Sequence, residues 1–254
     1  MAELDGRVAL VTGAGSGIGR GISRVLAREG ADLVLTDIGV SLAREAAEEV
    51  GGIALEHDVT SWSSCEEVVK ATLEAKGRID LLVNNAGVSR SLPFHEIDEA
   101  EWDRVNDVNA KGVFLCCRAV APHMMERRSG AIVNVSSMVG KEAIPFFVHY
   151  CASKFAVIGL TQGLAKELAE YNVNVNAVCP GVVRTPLWDP LLDQISENKG
   201  ISREKAWQEF VDGIPLGRPQ EPEDIGEVVA FLASDRARNM TGQGINITGG
   251  MQLH

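Results

Sequence analysis

The sequence has no uncharged apolar run approaching the roughly 20 residues that a membrane-spanning helix needs, so no membrane partner is expected. Its N-terminal stretch, Met-Ala-Glu-Leu-Asp-Gly-Arg, is charged and leads straight into a strand-like run, without the basic and then apolar layout of a secretory signal. Lys/Arg runs are missing too. With a net charge of −11 and a pI near 5.0, nucleic acid is not an expected partner, because phosphate backbones attract basic surfaces. Five cysteines (Cys65, Cys116, Cys117, Cys151, Cys179) and five histidines (His57, His95, His123, His149, His254) lack metal-ligand spacing. No metal is therefore expected, and the cysteines read as reduced thiols, mostly packing, in a cytoplasmic protein.

What is present fits one α/β domain over residues 1–254, since 45% apolar and 23% charged residues over this length allow a substantial core. Arg7 to Thr12 is a short β-branched run ending in glycines, the pattern of a buried parallel strand entering a turn. The turn, Gly13-Ala14-Gly15-Ser16-Gly17-Ile18-Gly19, does not match G-x-G-x-x-G in any frame; its spacing is Thr12-Gly13-x-x-x-Gly17-x-Gly19. The physical purpose is the same, because glycines let the backbone turn tightly and let a pyrophosphate reach the positive end of the helix that runs on to Arg28.

A second strand, Asp32 to Thr36, ends at Asp37. A carboxylate there accepts hydrogen bonds from adenosine ribose hydroxyls and repels a 2′-phosphate, which predicts NAD rather than NADP. Ser16 agrees, because a basic residue at that position would have suited the extra phosphate. The competing reading makes Asp37 a cap for a helix starting near Ser41. A third strand, Gly52 to Glu56, is followed by Asp58-Val59 and a helical stretch from Ser61 to Lys76. The fourth, Asp80 to Val83, runs into Asn84-Asn85-Ala86-Gly87. Strands alternating with helices predict a doubly wound, Rossmann-like parallel sheet with helices on both faces and its ligand at the carboxyl ends of the strands.

Further on, Glu99 to Arg127 has helical spacing and contains Asn109, and Gly130 to Val135 is a fifth strand ending in Ser136-Ser137. Within a helix from Tyr150 to Tyr171, Tyr150 and Lys154 stand four apart and share a face. A phenol ionises near pH 10, and a nearby ammonium favours the phenolate, so the two form a plausible acid/base pair; an exposed helix face explains the spacing equally well. A sixth strand, Asn172 to Cys179, leads into Pro180-Gly181-Val182-Val183-Arg184-Thr185-Pro186. About 187–215 departs from the repeat, with short helices near Pro190 to Glu197 and Arg203 to Asp212 joined by Asn198-Lys199-Gly200, and is well placed to be a substrate lid. Trp188, Leu191 and Leu192 either face the pocket or pack in the core. Glu221 to Ala233 is a final helix and Gly244 to Thr248 a seventh strand.

The glycine turn, Asp58, Asn84-Asn85-Ala86-Gly87 and Tyr150-x-x-x-Lys154, in this order and spanning essentially the whole chain, resemble the short-chain dehydrogenase/reductase family. The resemblance implies an NAD site made of Gly13, Ser16, Gly17, Ile18, Gly19, Asp37, Ile38, Asp58, Val59, Asn85, Ala86, Gly87, Tyr150, Lys154, Pro180, Gly181, Val183 and Thr185. It also implies catalysis by Asn109, Ser137, Tyr150 and Lys154; the family's serine precedes its tyrosine by thirteen positions, which selects Ser137 over Ser136. The implied reaction is hydride transfer between NAD and a secondary alcohol or ketone. The loop after the sixth strand, the lid and the ending from Thr241 to Gly250 look similar to members acting on polyols, sugar alcohols and vicinal diols. The alternative is a 3-oxoacyl-thioester reductase, an activity that often goes with NADPH and a basic docking face. A non-catalytic NAD-binding regulator is a remote third, since Asn109, Ser137, Tyr150 and Lys154 are all present. Small residues Ala152, Ala156, Gly159 and Gly163 line one face of the tyrosine helix, which in the family packs against a second subunit, so a homotetramer is expected.

Overall fold

Seven short aliphatic runs pair side by side in one parallel sheet: β1 (Val8–Thr12), β2 (Asp32–Asp37), β3 (Ile53–Glu56), β4 (Leu81–Asn84), β5 (Gly130–Val135), β6 (Val173–Pro180) and β7 (Gly244–Ile247). Their order is β3-β2-β1-β4-β5-β6-β7, so the chain reverses its direction of travel between β1 and β4, where a doubly wound sheet opens a crevice. The computed structural model describes residues 3–254. Met1 and Ala2, which begin the N-terminal stretch read above, lie outside the described residues.

The helices are α1 (Gly17–Arg28), α2 (Val40–Val50), α3 (Trp62–Lys76), α4 (Glu99–Asn106), α5 (Gly112–Arg127), α6 (Val148–Leu168), α7 (Asp189–Lys199), α8 (Arg203–Asp212) and α9 (Pro222–Ala233). Successive strand residues face opposite sides, so one strand feeds two cores. Ala9 and Val11 pack with Ile22, Val25 and Leu26 of α1 and Ile225 and Val229 of α9, while Leu10 packs with Val68 of α3, Val113 and Val120 of α5 and Val157 of α6. Each such side chain contributes about 1.5–3 kcal/mol by leaving water. Burial on both faces is what makes the strands nearly continuous apolar runs.

Strand and helix ends fall within about two residues of the sequence expectations, except that α6 ends at Leu168 and a 3-10 turn, Ala169–Tyr171, takes up the rest of the expected helix. A second departure is informative. The helical segment Glu99 to Arg127 is not a single α-helix: Asp107–Lys111 forms a π-helical turn between α4 and α5, with Asn109 inside it. The inserted residue slips the helical pattern by about 100°, but the eight residues of α4 carry too few apolar positions to show the slip; such turns recur at functional sites. Among the described residues no helix is long and apolar enough to cross a membrane.

Candidate active site

The carboxyl end of β1 delivers Thr12 and then the glycine turn. Gly13 and Gly17 take the left-handed region, with φ of 61° and 51°. A Cβ on Gly13 would lie 2.7 Å from Ala86 Cα, so only glycine lets the turn rest against the loop after β4. That loop is tied down: Asn85 Nδ2 donates to the carbonyls of Thr12 (3.0 Å) and Gly13 (2.8 Å), and Thr12 Oγ1 accepts from the Asn85 and Ala86 amides, both at 3.1 Å. Thr12 thus has a positioning role that the sequence reading left out, although it stands at the head of the motif. Ser16 precedes α1 in an extended conformation without capping it through its side chain, and no acidic residue lies in the first turn. The helix therefore offers backbone N–H groups and a positive dipole end, and Ile18 and Gly19 continue from it. A diphosphate fits this cradle.

Asp37 ends β2 with both carboxylate oxygens engaged, Oδ2 accepting from the Gly15 amide at 3.1 Å and Oδ1 from the Gly39 amide at 3.0 Å. It does not cap α2 in the usual sense, because Gly39 is the N-cap residue and carries no side-chain cap. The carboxylate is instead fixed at the rim of the cradle, with Ile38 beside it 72% exposed, an apolar surface suited to a flat base. At the end of β3, Asp58 Oδ1 accepts from the Thr60 amide (2.9 Å) and hydroxyl (2.7 Å), and Val59 is buried. Beyond β6, the Gly181 amide donates to Ile247 O, Val183 bridges to Gln220, and a Cβ on Gly17 would meet Thr185 Cβ at 3.3 Å. Pro180 through Thr185 and the glycine turn therefore face one crevice.

The other sequence-predicted residues converge beside Gly87. Tyr150 lies in the first turn of α6 and Lys154 one turn on, its Nζ 5.6 Å from the Tyr150 ring centroid. Lys154 Nζ donates to Val135 O at 2.9 Å, and a Cβ on Gly87 would lie 3.6 Å from that nitrogen and 3.3 Å from Asn109 Oδ1. Asn109 is fully buried: it exchanges hydrogen bonds with both the amide and the carbonyl of Val88 (2.8 and 2.9 Å) and donates to Ser153 Oγ (3.0 Å), which in turn donates to Tyr150 O (2.7 Å). Ser153 is a second linking residue that no sequence motif marks. The two serines after β5 separate by environment. Ser136 is buried, donating to Lys154 O at 2.9 Å, whereas Ser137 is only half-buried, its hydroxyl accepting from the Val139 amide at 3.3 Å and lying on the side of the Tyr150 phenol, whose ionisation it favours.

One expectation needs correcting. Lys154 was expected to draw the Tyr150 pKa down. In this structure burial pushes the phenol up to about 12, the Ser137 hydrogen bond opposing it in part. Burial also holds the Lys154 ammonium down at about 8. Two buried ionisable groups each favour their neutral form, and the ammonium, aimed at Val135 O, does not offset the desolvation of the phenol. In the lid, Trp188 packs edge-on against Trp207 (5.3 Å between centroids) and Phe210 (4.8 Å), and Leu192 is buried, while Leu187 is exposed. His149, next to Tyr150, is fully buried with Nε2 3.4 Å from Glu101 Oε1.

A glycine-lined diphosphate cradle at the crevice of a doubly wound sheet, with a tyrosine and a lysine one helical turn apart beside it, defines a nicotinamide-linked oxidoreductase. The chain belongs to the short-chain dehydrogenase/reductase family. Residues 13–252 match the family model described as enoyl-(acyl carrier protein) reductase. The chain is 42% identical over 256 residues to the 3-oxoacyl-(acyl-carrier-protein) reductase FabG of Thermotoga maritima, covering 99% of this chain and 100% of that one. It is also 42% identical to the oxidoreductase UcpA of Salmonella typhimurium, over 100% of this chain and 97% of the relative. Among solved structures, levodione reductase superposes with a TM-score of 0.92 at 35% identity, over 97% of this chain and 98% of that one.

Proposed function

We propose that the protein is an NAD-linked oxidoreductase that interconverts a small secondary alcohol, favourably a vicinal diol or other polyol, and the corresponding ketone. The observation that carries this reading is the placement of Tyr150 and Lys154 one helical turn apart on α6, with Lys154 Nζ 5.6 Å from the Tyr150 ring and 3.6 Å from where a Cβ on Gly87 would lie, beside the glycine cradle. Gly13, Ser16 to Gly19, Asn85 to Gly87 and Pro180 to Thr185 would hold the dinucleotide, which when bound takes up or returns the carbinol hydride. Ser137 orients the substrate oxygen by a hydrogen bond, and Tyr150 removes its proton during oxidation or supplies one during reduction. The Lys154 ammonium, which by itself does not offset the burial of the phenol, would donate to the ribose hydroxyls, and the positive charge of the oxidised nicotinamide would join it in favouring the phenolate.

By the family resemblance, Asn109 holds a water on the path by which the proton returns to solvent. Both its side-chain amide protons are committed, to Val88 O and Ser153 Oγ, so the side chain itself holds the loop after β4 against α6 from within the π turn. Asp37 supports NAD: its carboxylate stands at the rim of the cradle with both oxygens anchored, where a 2′-phosphate would meet negative charge.

The segment leading into Tyr150 exposes the apolar Ile144 and Phe146, and the lid exposes Leu187, which favours a diol with an apolar flank over a fully hydroxylated sugar alcohol. The small-residue face of α6 supports a homotetramer. Ala156, Gly159 and Gly163 are exposed, and a Cβ on either glycine would meet nothing within 4 Å, so these residues do not pack within the subunit. Light scattering is expected to give the mass of four subunits; a monomer would exclude it.

Reduction of a 3-oxoacyl thioester is a second reading, favoured by the full-length identity to FabG and opposed by Asp37 and the net charge of −11. Steady-state rates with vicinal diols, sugar alcohols and hydroxyacids with NAD and NADP, and with 3-oxoacyl thioesters with NADH and NADPH, distinguish them. Turnover of diols with NAD is expected. Turnover of thioesters with a strong NADPH preference would replace the first reading with the second.

A further inference from the structure

On the α3/α5 side of the sheet lies a second buried polar cluster, which the proposed hydride chemistry does not use. His57 follows β3, Cys65 sits in the first turn of α3 and Cys116 in the second turn of α5; they are 4%, 1% and 3% exposed. His57 Nε2 is 3.4 Å from Cys65 Sγ and 3.9 Å from Cys116 Sγ, and the two sulfurs are 3.9 Å apart. All three donor atoms thus lie within 4.8 Å of one another.

Two of these separations, the sulfur–sulfur and His57–Cys65 ones, match those imposed by a shared cation, and the 3.9 Å from His57 Nε2 to Cys116 Sγ would shorten by only a few tenths of an ångström. With metal–sulfur and metal–nitrogen bonds of about 2.3 and 2.0–2.1 Å, tetrahedral angles put two sulfurs about 3.8 Å apart and sulfur and nitrogen about 3.5 Å apart; trigonal angles lengthen both by about 0.2 Å. The histidine also has the right nitrogen turned inward. Its Nδ1 is 3.0 Å from Thr36 Oγ1, and that hydroxyl points its own hydrogen at Val11 O, 3.4 Å away. The threonine oxygen therefore accepts from Nδ1–H, which leaves the lone pair on Nε2, facing the sulfurs. A fully buried polar partner on the far nitrogen is the usual companion of a metal-bound imidazole.

We propose that His57 Nε2, Cys65 Sγ and Cys116 Sγ bind one soft, thiophilic d10 cation, Zn2+ or Cu+, in a structural site that clasps the end of β3 to α3 and α5. Each thiol releases its proton to solvent as its sulfur binds. Three donors complete a trigonal Cu+ site. Zn2+ calls for a fourth, and the carbonyl of Val59, 3.8 Å from Cys65 Sγ, is an oxygen close at hand. His57 immediately precedes Asp58 and Val59, so the cation would also stiffen one wall of the dinucleotide crevice. The site does not depend on which alcohol or ketone is turned over.

The test uses the full chain stripped of metal and titrated under anaerobic conditions with Zn2+ and, separately, with Cu+. Metal content is read by elemental mass spectrometry, and Co2+ serves as a probe whose thiolate charge-transfer absorption reports sulfur ligation. About one ion per chain, a charge-transfer band with Co2+ and a raised unfolding midpoint are expected. Stoichiometric retention of only one of the two ions identifies the cation. His57→Gln, Cys65→Ala and Cys116→Ala should each weaken binding by roughly a hundredfold or more, while Cys117→Ala, which removes the neighbouring buried thiol, should keep it. Circular dichroism identifies the variants that fold, and should one of the cysteine variants fail, His57→Gln and the other cysteine decide. Binding of neither ion, or equal binding by the folded variants, would overturn the site. So would a Cys65–Cys116 disulfide on mild oxidation, seen as the loss of two hydrogens, in a chain that takes up no metal.

Discussion

The glycines from Gly13 to Gly19 are held at close range by Ala86 backbone, Asn85, Leu42 and Thr185, whereas the segment leading into Tyr150 carries the exposed apolar Ile144 and Phe146 on an irregular loop. The first region is over-determined. A Cβ at Gly13 collides with Ala86, Asn85 bridges two carbonyls, and Asp37 holds two amides. The second region is constrained mainly by one backbone hydrogen bond, from the Leu92 amide to Phe146 O at 2.9 Å, and by the unusual φ of 67° at Phe146. Cofactor recognition therefore allows few substitutions, while the substrate walls can change side chains at little cost to the fold.

Tyr150→Phe tests the junction of the two regions and should have the largest effect. It removes the proton donor and keeps the ring, so kcat is expected to fall by about 10²–10⁴-fold with NADH binding unchanged. Fluorescence titration with NADH and single-turnover rates check both halves; retention of most of the activity would remove Tyr150 from the chemistry.

Lys154 reports how strongly the shared floor of the site is desolvated. Its folded pKa of about 8 lies below the ordinary 10.5, so between these values the unfolded chain holds a proton that the folded protein has released. Stability should therefore rise with pH across that window, by on the order of 3 kcal/mol. Tyr150 acts in the opposite sense: raised from 10.0 to about 12, it keeps a proton that the unfolded chain has lost, and stability falls between those values. Urea unfolding of the ligand-free protein and of Lys154→Met at about pH 8 and about pH 10 isolates the first contribution, because the variant should lose the rise.

Asp37→Ser sharpens the contrast from the cofactor end. Loss of a fixed carboxylate should raise the KM for NAD about 10- to 100-fold, equivalent to about 1.5–3 kcal/mol for hydrogen bonds to a charged group, and should improve use of NADP. An unchanged ratio of the two cofactors would mean that Asp37 serves only the turn. Phe146→Gly probes the substrate end and should do least. It relieves a left-handed backbone worth about 1–2 kcal/mol, offset by about 0.5–1 kcal/mol of chain entropy. The KM for apolar-flanked substrates should rise a few-fold, with little change for sugar alcohols. A larger effect at Phe146 than at Asp37 would reverse the comparison.

Much of the architecture was legible because parallel strands buried on both faces must be apolar and their helices must be amphipathic. Strand ends such as Thr12, Asp37, Asp58 and Asn85 could therefore be placed on one edge. The two serines after β5 differ in a way that counting along the chain does not show: Ser136 turns inward to Lys154 O, while Ser137 stays half-exposed at the end of the strand. The π turn at Asn109 was not legible, because the apolar pattern of the short α4 is too brief to show the phase slip of about 100° that one inserted residue causes. Nor was the effect of burial on Tyr150 and Lys154, since desolvation depends on everything packed around a group and not on its neighbour one turn away.

By itself the sequence determined the strand-helix alternation, the glycine cradle, the acidic residue at the end of β2 and the tyrosine-lysine pair, all of which rest on local spacing or on the alternation of buried faces. Only the tertiary structure decided which way Asn109 and Ser153 link the loop after β4 to α6, and that the phenol and ammonium are both desolvated. It alone brought His57, Cys65 and Cys116 together, because they lie 8 and 51 residues apart and meet only where β3, α3 and α5 close over the sheet.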